Sequence, residues 1–184
     1  MGRSLNRIVV IDVESTCWEK QTYQKNEIIE IGITELAFST NFYIKDNRSI
    51  YIKPIHSEVS EFCTKLTGIT EQILNENGGY PPEVFDSLYK EYGKNNIIWA
   101  SYGDYDREMF RRMSLLYDIK YPLGRTHLNV KTLFALSSNL NQEVGLAEAI
   151  SILGNTFHGI HHSGKDDSYN IAILLINLLK KIRK

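Results

Sequence analysis

The sequence is poor in several features that would point to particular functions. Cys17 and Cys63 are the only cysteines in 184 residues. That excludes a disulfide scaffold and a zinc site built from cysteines alone, and it fits a reducing compartment, so a cytoplasmic location is expected. Neither sign of charge dominates, with 21 Lys and Arg against 22 Asp and Glu, a formal net charge of -1. A polyanionic partner must therefore be held by a local patch or through metal ions rather than by mean charge. The longest apolar run, residues 171–176, stops at Asn177. A bilayer span takes about 20 such residues, so no membrane partner is expected. The polar start, Met1 to Arg7, precedes only a short apolar run and does not read as a secretory leader. No repeat, low-complexity stretch or Pro/Gly/Ser linker divides the chain, and the expectation is one domain over 1–184 with a substantial core. There is no Gly-rich phosphate loop and no Ser/His/Asp or Cys/His spacing for nucleophilic catalysis.

What is present reads as strands first and helices later. Ile8-Val9-Val10-Ile11 predicts a buried central strand. A second strand fits Ile28 to Phe38, with Ile29, Ile31 and Ile33 on one face, and a third fits Asn41 to Ile52. Asp46-Asn47-Arg48 also suits a turn or bulge, which leaves the extent of the third strand open. The segment NENGGYPP, 75–82, marks a turn between elements. Phe85, Leu88, Tyr89 and Tyr92 line one helical face. A short strand over 97–100 and helices over 104–116, 129–136, 146–153 and 166–181 follow. This order predicts an α/β layer structure with a mixed sheet.

The chemistry lies in acids and histidines. Asp12 and Glu14 close the first strand, and alternate strand residues face the same way. Two carboxylates at the end of an apolar strand are costly unless something compensates them, and a divalent cation does so naturally. Asp106 opens the 104–116 helix, with Asp104 as its rival; Asp106 is preferred. His162 and Asp167 sit at the entry to the last helix, with His161 and Asp166 as the register-shifted alternative. Four carboxylates from distant segments and one histidine suit two-metal phosphoryl chemistry, in which ions about 3.5–4 Å apart activate a water and stabilise the leaving oxygen. Arg107, Arg111, Arg112 and Lys131 are candidate basic groups for a nucleic-acid strand, and the run Lys180 to Lys184 is a weaker one.

At these residues the sequence resembles the DEDDh 3'-to-5' exonucleases of the ribonuclease H-like superfamily. IDVEST at 11–16 carries the family's DxE as Asp12 and Glu14. SYGDYDREMF at 101–110 carries its aromatic-Asp as Tyr105-Asp106, and HHSGKDDSYNIA at 161–172 carries its His five positions before Asp as His162 and Asp167. The doubled histidine and Tyr105, where Trp or Phe is common, depart from the pattern. YIKPIHSEVSEFCTKLTGIT at 51–70 is similar to the Eri-type exoribonucleases, whose eukaryotic members often carry an additional nucleic-acid-binding domain; the chain resembles the bare catalytic domain of the small bacterial relatives. The resemblance implies a ribonuclease H-like fold with a mixed five-stranded sheet flanked by helices. It implies two divalent ions, Mg²⁺ or Mn²⁺, held by Asp12, Glu14, Asp106 and Asp167, with His162 as general base. The implied partner is a single-stranded RNA or DNA 3' end, hydrolysed to nucleoside 5'-monophosphates; a protein partner is left open. Ser15 and Thr16 would face the terminal nucleotide, with Leu66 and Thr67 near its sugar or base. RNA is the preferred substrate. A DNA-directed exonuclease of the proofreading or repair type shares every catalytic residue, and a non-catalytic binding or regulatory module on the same fold is the further alternative.

Overall fold

The β-branched run after Asn6 forms the middle of the sheet. In the computed structural model, which describes residues 5–20, 23, 25–95 and 97–182, β1 (Arg7–Ser15) lies between β2 (Ile28–Phe38) and β4 (Ile98–Ser101). The sheet has five strands in the order β3-β2-β1-β4-β5, with β3 at Phe42–Tyr51 and β5 at His127–Asn129. β1, β2 and β3 pair antiparallel, while β1, β4 and β5 pair parallel, so the sheet is mixed as predicted. Helices cover both faces, and β1 consequently reads as a continuous apolar run rather than an alternating one.

Side-chain alternation divides the core. Ile8, Val10 and Leu36 pack against α5 (Val130–Ser137), α6 (Leu146–Ile152) and α7 (Gly164–Ile182). Val9, Ile11, Val13, Ile31 and Ile33 pack against α3 (Pro81–Leu88) and α4 (Tyr105–Leu116). Each such fully buried aliphatic contributes about 1.5–3 kcal/mol. Two short helices, α1 (Glu61–Thr67) and α2 (Glu71–Asn77), follow β3.

The residues 46–48 do not break β3. The irregularity falls one position earlier: Glu35 pairs with Asp46 and Leu36 with Ile44, leaving Lys45 as the extra residue. The helical face of Phe85, Leu88 and Tyr92 is real, but α3 stops at Leu88 and a π-helical turn over Tyr89–Gly93 continues it. That turn keeps Tyr92 buried, with its hydroxyl donating to Glu35 at 2.8 Å. Of the basic run 180–184, Arg183 and Lys184 lie outside the described residues.

One close approach fixes the last helix. A Cβ on Gly32 would lie 1.8 Å from the Gly164 carbonyl oxygen, so the first turn of α7 rests directly on the backbone of β2. Gly164 N–H donates to Glu30 at 3.0 Å and anchors the same turn. Asp167, three residues on, is thereby held over β1.

Candidate active site

Asp12 and Glu14 share the parity of Ile8 and Val10 and face the α7 side of the sheet. α7 enters above them with Asp167 in its first turn, where the positive end of the helix dipole favours a carboxylate. Asp12, Glu14 and Asp167 bring carboxylate oxygens within 4.8 Å of one another. Asp106 reaches the cluster from the first turn of α4. It is 4% exposed and accepts a hydrogen bond from the Val13 N–H at 2.9 Å, which ties α4 to β1. Asp104 stays outside: its side chain is 55% exposed and pairs with Arg107 at 3.1 Å. The structure thus gathers the four predicted carboxylates and leaves the rival aspartate on the surface.

Both histidines of the doubled pair reach Asp167, in different ways. His161 Nδ1 lies 3.2 Å from Asp167 Oδ2, and the His162 backbone N–H donates to the same oxygen at 3.0 Å. The two rings stack with centroids 4.2 Å apart. His162 has a φ of 66°, a left-handed conformation uncommon for a non-glycine residue and found enriched at functional sites. The side-chain bond to Asp167 therefore belongs to His161, while the His162 ring is left to other work. Burial and the neighbouring His161 lower the pKa of His162 against the pull of Asp167, which favours a neutral imidazole able to accept a proton.

The electrostatics of the cluster are those of charges crowded in a dry place. Burial, then Asp106 and Asp167, push Asp12 well above the usual carboxylate range. Burial and the same neighbourhood push Glu14 to about 9. Burial raises Asp106 to about 7 even though the Val13 N–H, its own backbone N–H and the Ser101 hydroxyl stabilise its charge. Burial raises Asp167 against the opposing influence of the histidines. The Oδ1 atom of Asp167 is buried with no hydrogen-bond partner among the described residues. Converging oxygen donors, mutual repulsion and an orphaned carboxylate oxygen fit a hard divalent cation, which would relieve all three.

One acid escaped the sequence reading. Glu30 on β2 is 3% exposed, sits directly across from Glu14, and adds its charge to both Asp12 and Glu14. Like charges in directly paired strand positions repel. Its oxygens accept from Gly164 N–H and from Ser49, so Glu30 joins the sheet to α7. The signal was present in the alternation Glu30-Gly32-Thr34 within a strand whose other residues, Glu35 apart, are apolar.

The remaining predicted residues differ in what they offer. Ser15 Oγ is 2.7 Å from the Tyr105 hydroxyl, at the border of the cluster. Thr16 is wholly buried, and its hydroxyl accepts from Glu27 N–H at 2.9 Å and bonds Ser57 at 3.0 Å. Its side chain is committed to holding the 55–57 loop. Glu27 receives the Tyr117 hydroxyl, the Ser57 hydroxyl and the N–H groups of Ile55 and His56. Thr67 Oγ1 donates to the Cys63 carbonyl at 2.9 Å and accepts from Ile69 N–H, closing α1 before Gly68 in a left-handed cap. Leu66, beside it, is exposed.

Comparison with known proteins points one way. The profile of the exonuclease family RNase_T matches residues 9–175. A human protein named 3'-5' exoribonuclease 1 is 30% identical over 94% of this chain and 52% of its own length, and its rat counterpart is 29% identical over 94% and 53%. The chain thus spans about half the length of these curated relatives. Among solved structures, the nuclease domain of 3'hExo, a DEDDh family member, bound to rAMP superposes with a TM-score of 0.86 at 26% identity, covering 98% of this chain and 95% of that one.

Proposed function

Because the chain belongs to the exonuclease family, as a DEDDh-type member of the ribonuclease H-like superfamily, we propose that it removes nucleoside 5'-monophosphates from single-stranded 3' ends, RNA before DNA. The convergence of Asp12, Glu14, Asp106 and Asp167 beside His162 carries this reading. The four carboxylates would hold two divalent ions, Mg²⁺ or Mn²⁺. When bound, such ions lower the pKa of a water and stabilise charge on the phosphoryl oxygens. His162, kept neutral by burial and by His161, accepts the proton of the attacking water through its ring. His161 fixes the orientation of Asp167 through its Nδ1 contact. Ser15, braced by the Tyr105 hydroxyl, borders the terminal nucleotide, and Leu66 offers it an apolar surface. The names of the human and rat relatives, and the rAMP held by the nuclease domain of 3'hExo, support RNA as the substrate.

The test is digestion of matched single-stranded RNA and DNA carrying a 5' label, with Mn²⁺, Mg²⁺ or EDTA, resolved by length. Stepwise shortening from the 3' end that needs metal and runs faster on RNA is expected. Internal cuts in a 3'-blocked strand, or equal rates in EDTA, would overturn the reading.

A further inference from the structure

A cavity of about 770 Å³ opens between α4 and the β4–β5 edge of the sheet. The side chains of Arg107, Arg111 and Arg125 line it together with the half-buried Tyr121, over a floor of the buried Trp99 and His127 rings, and among the described residues no carboxylate does. In a chain of net charge -1 this is a local reversal of sign. Asp104 and Glu108 pair with Arg107 and Arg111 at 3.1 and 3.3 Å, on exposed side chains. Exposed pairs of this kind are weak, and each guanidinium fork keeps further N–H donors for another acceptor. The rings of Trp99 and His127 lie 4.1 Å apart, and the indole N–H donates to the Gly124 carbonyl, which fixes that ring in place. Ser114, also on the lining, has a buried hydroxyl with no hydrogen-bond partner among the described residues. The Ser101 hydroxyl bonds His127 Nε2 at 2.8 Å and also contacts Asp106, so one buried side chain links the floor of this cavity to the carboxylate cluster.

We propose that this cavity binds a nucleotide unit, its phosphate on the arginines and its base on the Tyr121 ring, and that the unit belongs to the strand whose 3' end lies at the carboxylate cluster. Guanidinium forks match phosphate oxygens, and every base has a face that stacks on aromatic rings, so this lining recognises nucleic acid without reading its sequence. The volume suits a ligand of nucleotide size. The strand as source rests on the exonuclease reading above; the nucleotide chemistry of the cavity does not.

The experiment is fluorescence anisotropy in EDTA, which removes any ion-mediated capture of phosphate, with a labelled single-stranded RNA of about ten nucleotides. Arg111→Glu, Arg125→Glu and their combination should weaken binding about tenfold or more and flatten the salt dependence by about one unit of log–log slope for each lost phosphate contact. Lys45→Glu makes the same charge change on β3, at the opposite edge of the sheet, and should bind as wild type does. Melting curves check folding; Arg111 is largely exposed, so its variant carries the test if Arg125→Glu fails to fold. Unchanged binding by the folded Arg111→Glu protein, or equal weakening by Lys45→Glu, would overturn the cavity. Adenosine 5'-monophosphate is the second probe. Competition at the affinity of the strand itself would keep the nucleotide chemistry and overturn the strand as its source. A wild type that binds through Arg111 yet hydrolyses nothing would overturn the exonuclease reading alone.

Discussion

At the scale of single residues, the site depends on charges that could not coexist without compensation. Asp12→Ala is expected to abolish turnover and leave the fold intact, because it removes one carboxylate from a cluster whose members repel each other. The purified variant should melt in EDTA no lower than wild type, and near-normal hydrolysis would sink the two-metal assignment. The two histidines separate by what each ring touches. His162→Ala should cost about 10²–10⁴ in rate, the loss of a proton acceptor. His161→Ala should cost far less at saturating metal but raise the metal concentration needed, since it frees Asp167 Oδ2 from its ring contact. Rates of both variants across a Mn²⁺ titration decide the matter, and the reverse ranking would move the base to His161.

At the scale of elements, α7 is placed by backbone rather than by side-chain packing alone. Gly32→Ala should push the first turn of α7 off β2, because the new Cβ meets a carbonyl that cannot rotate away. A cost of about 1–3 kcal/mol or more is expected, together with weakened metal binding as Asp167 moves; urea melts and a Mn²⁺ titration measure the two. Gly68→Ala is the contrasting case, with open space around its Cβ but a φ of 76°. It should cost about 1–2 kcal/mol from backbone conformation alone. The elements also show where sequence stops being informative. β2 was legible to its ends because β-branched residues recur along it, and the paired acids of β1 were legible because strand periodicity is local. β5 is three residues, His127–Asn129, with no periodicity of its own; it exists only through parallel pairing with β4. Asp104 and Asp106 are equivalent as helix-opening acids, and what separates them is a hydrogen bond to Val13, 93 residues earlier in the chain. Thr16 looked available for a nucleotide because its commitment to Glu27 and Ser57 is set by tertiary contacts.

For the whole molecule, these buried acids set an unusual dependence of stability on pH. Glu14 at about 9 and Asp106 at about 7 are raised in the folded state by burial. A raised group contributes stability that is fully present below its unfolded value and is lost as pH rises through its folded value. In EDTA the protein should therefore lose stability as pH climbs from about 4 through 7 and on to about 9. Two other acids act in the opposite sense. Glu27 is lowered, against its burial, by the Tyr117 and Ser57 hydroxyls and the N–H groups of Ile55 and His56; Glu35 is lowered, also against burial, by Arg7, Tyr92 and Arg48. Their contribution is present above the ordinary glutamate range and is lost as pH falls through their folded values. Together they place the stability maximum of the metal-free protein on the mildly acidic side. Divalent ions should reverse the upper limb, because binding would release the protons held by the cluster and add stability only to the folded state. The gap between melting temperatures in Mn²⁺ and in EDTA should widen steadily from about pH 5.5 to about pH 8.5. It should shrink in Asp106→Ala, whose carboxylate lies inside the cluster, and persist in Asp104→Ala, whose carboxylate lies on the surface. A gap that stays flat with pH, or that both substitutions reduce alike, would mean that these acids do not share a metal.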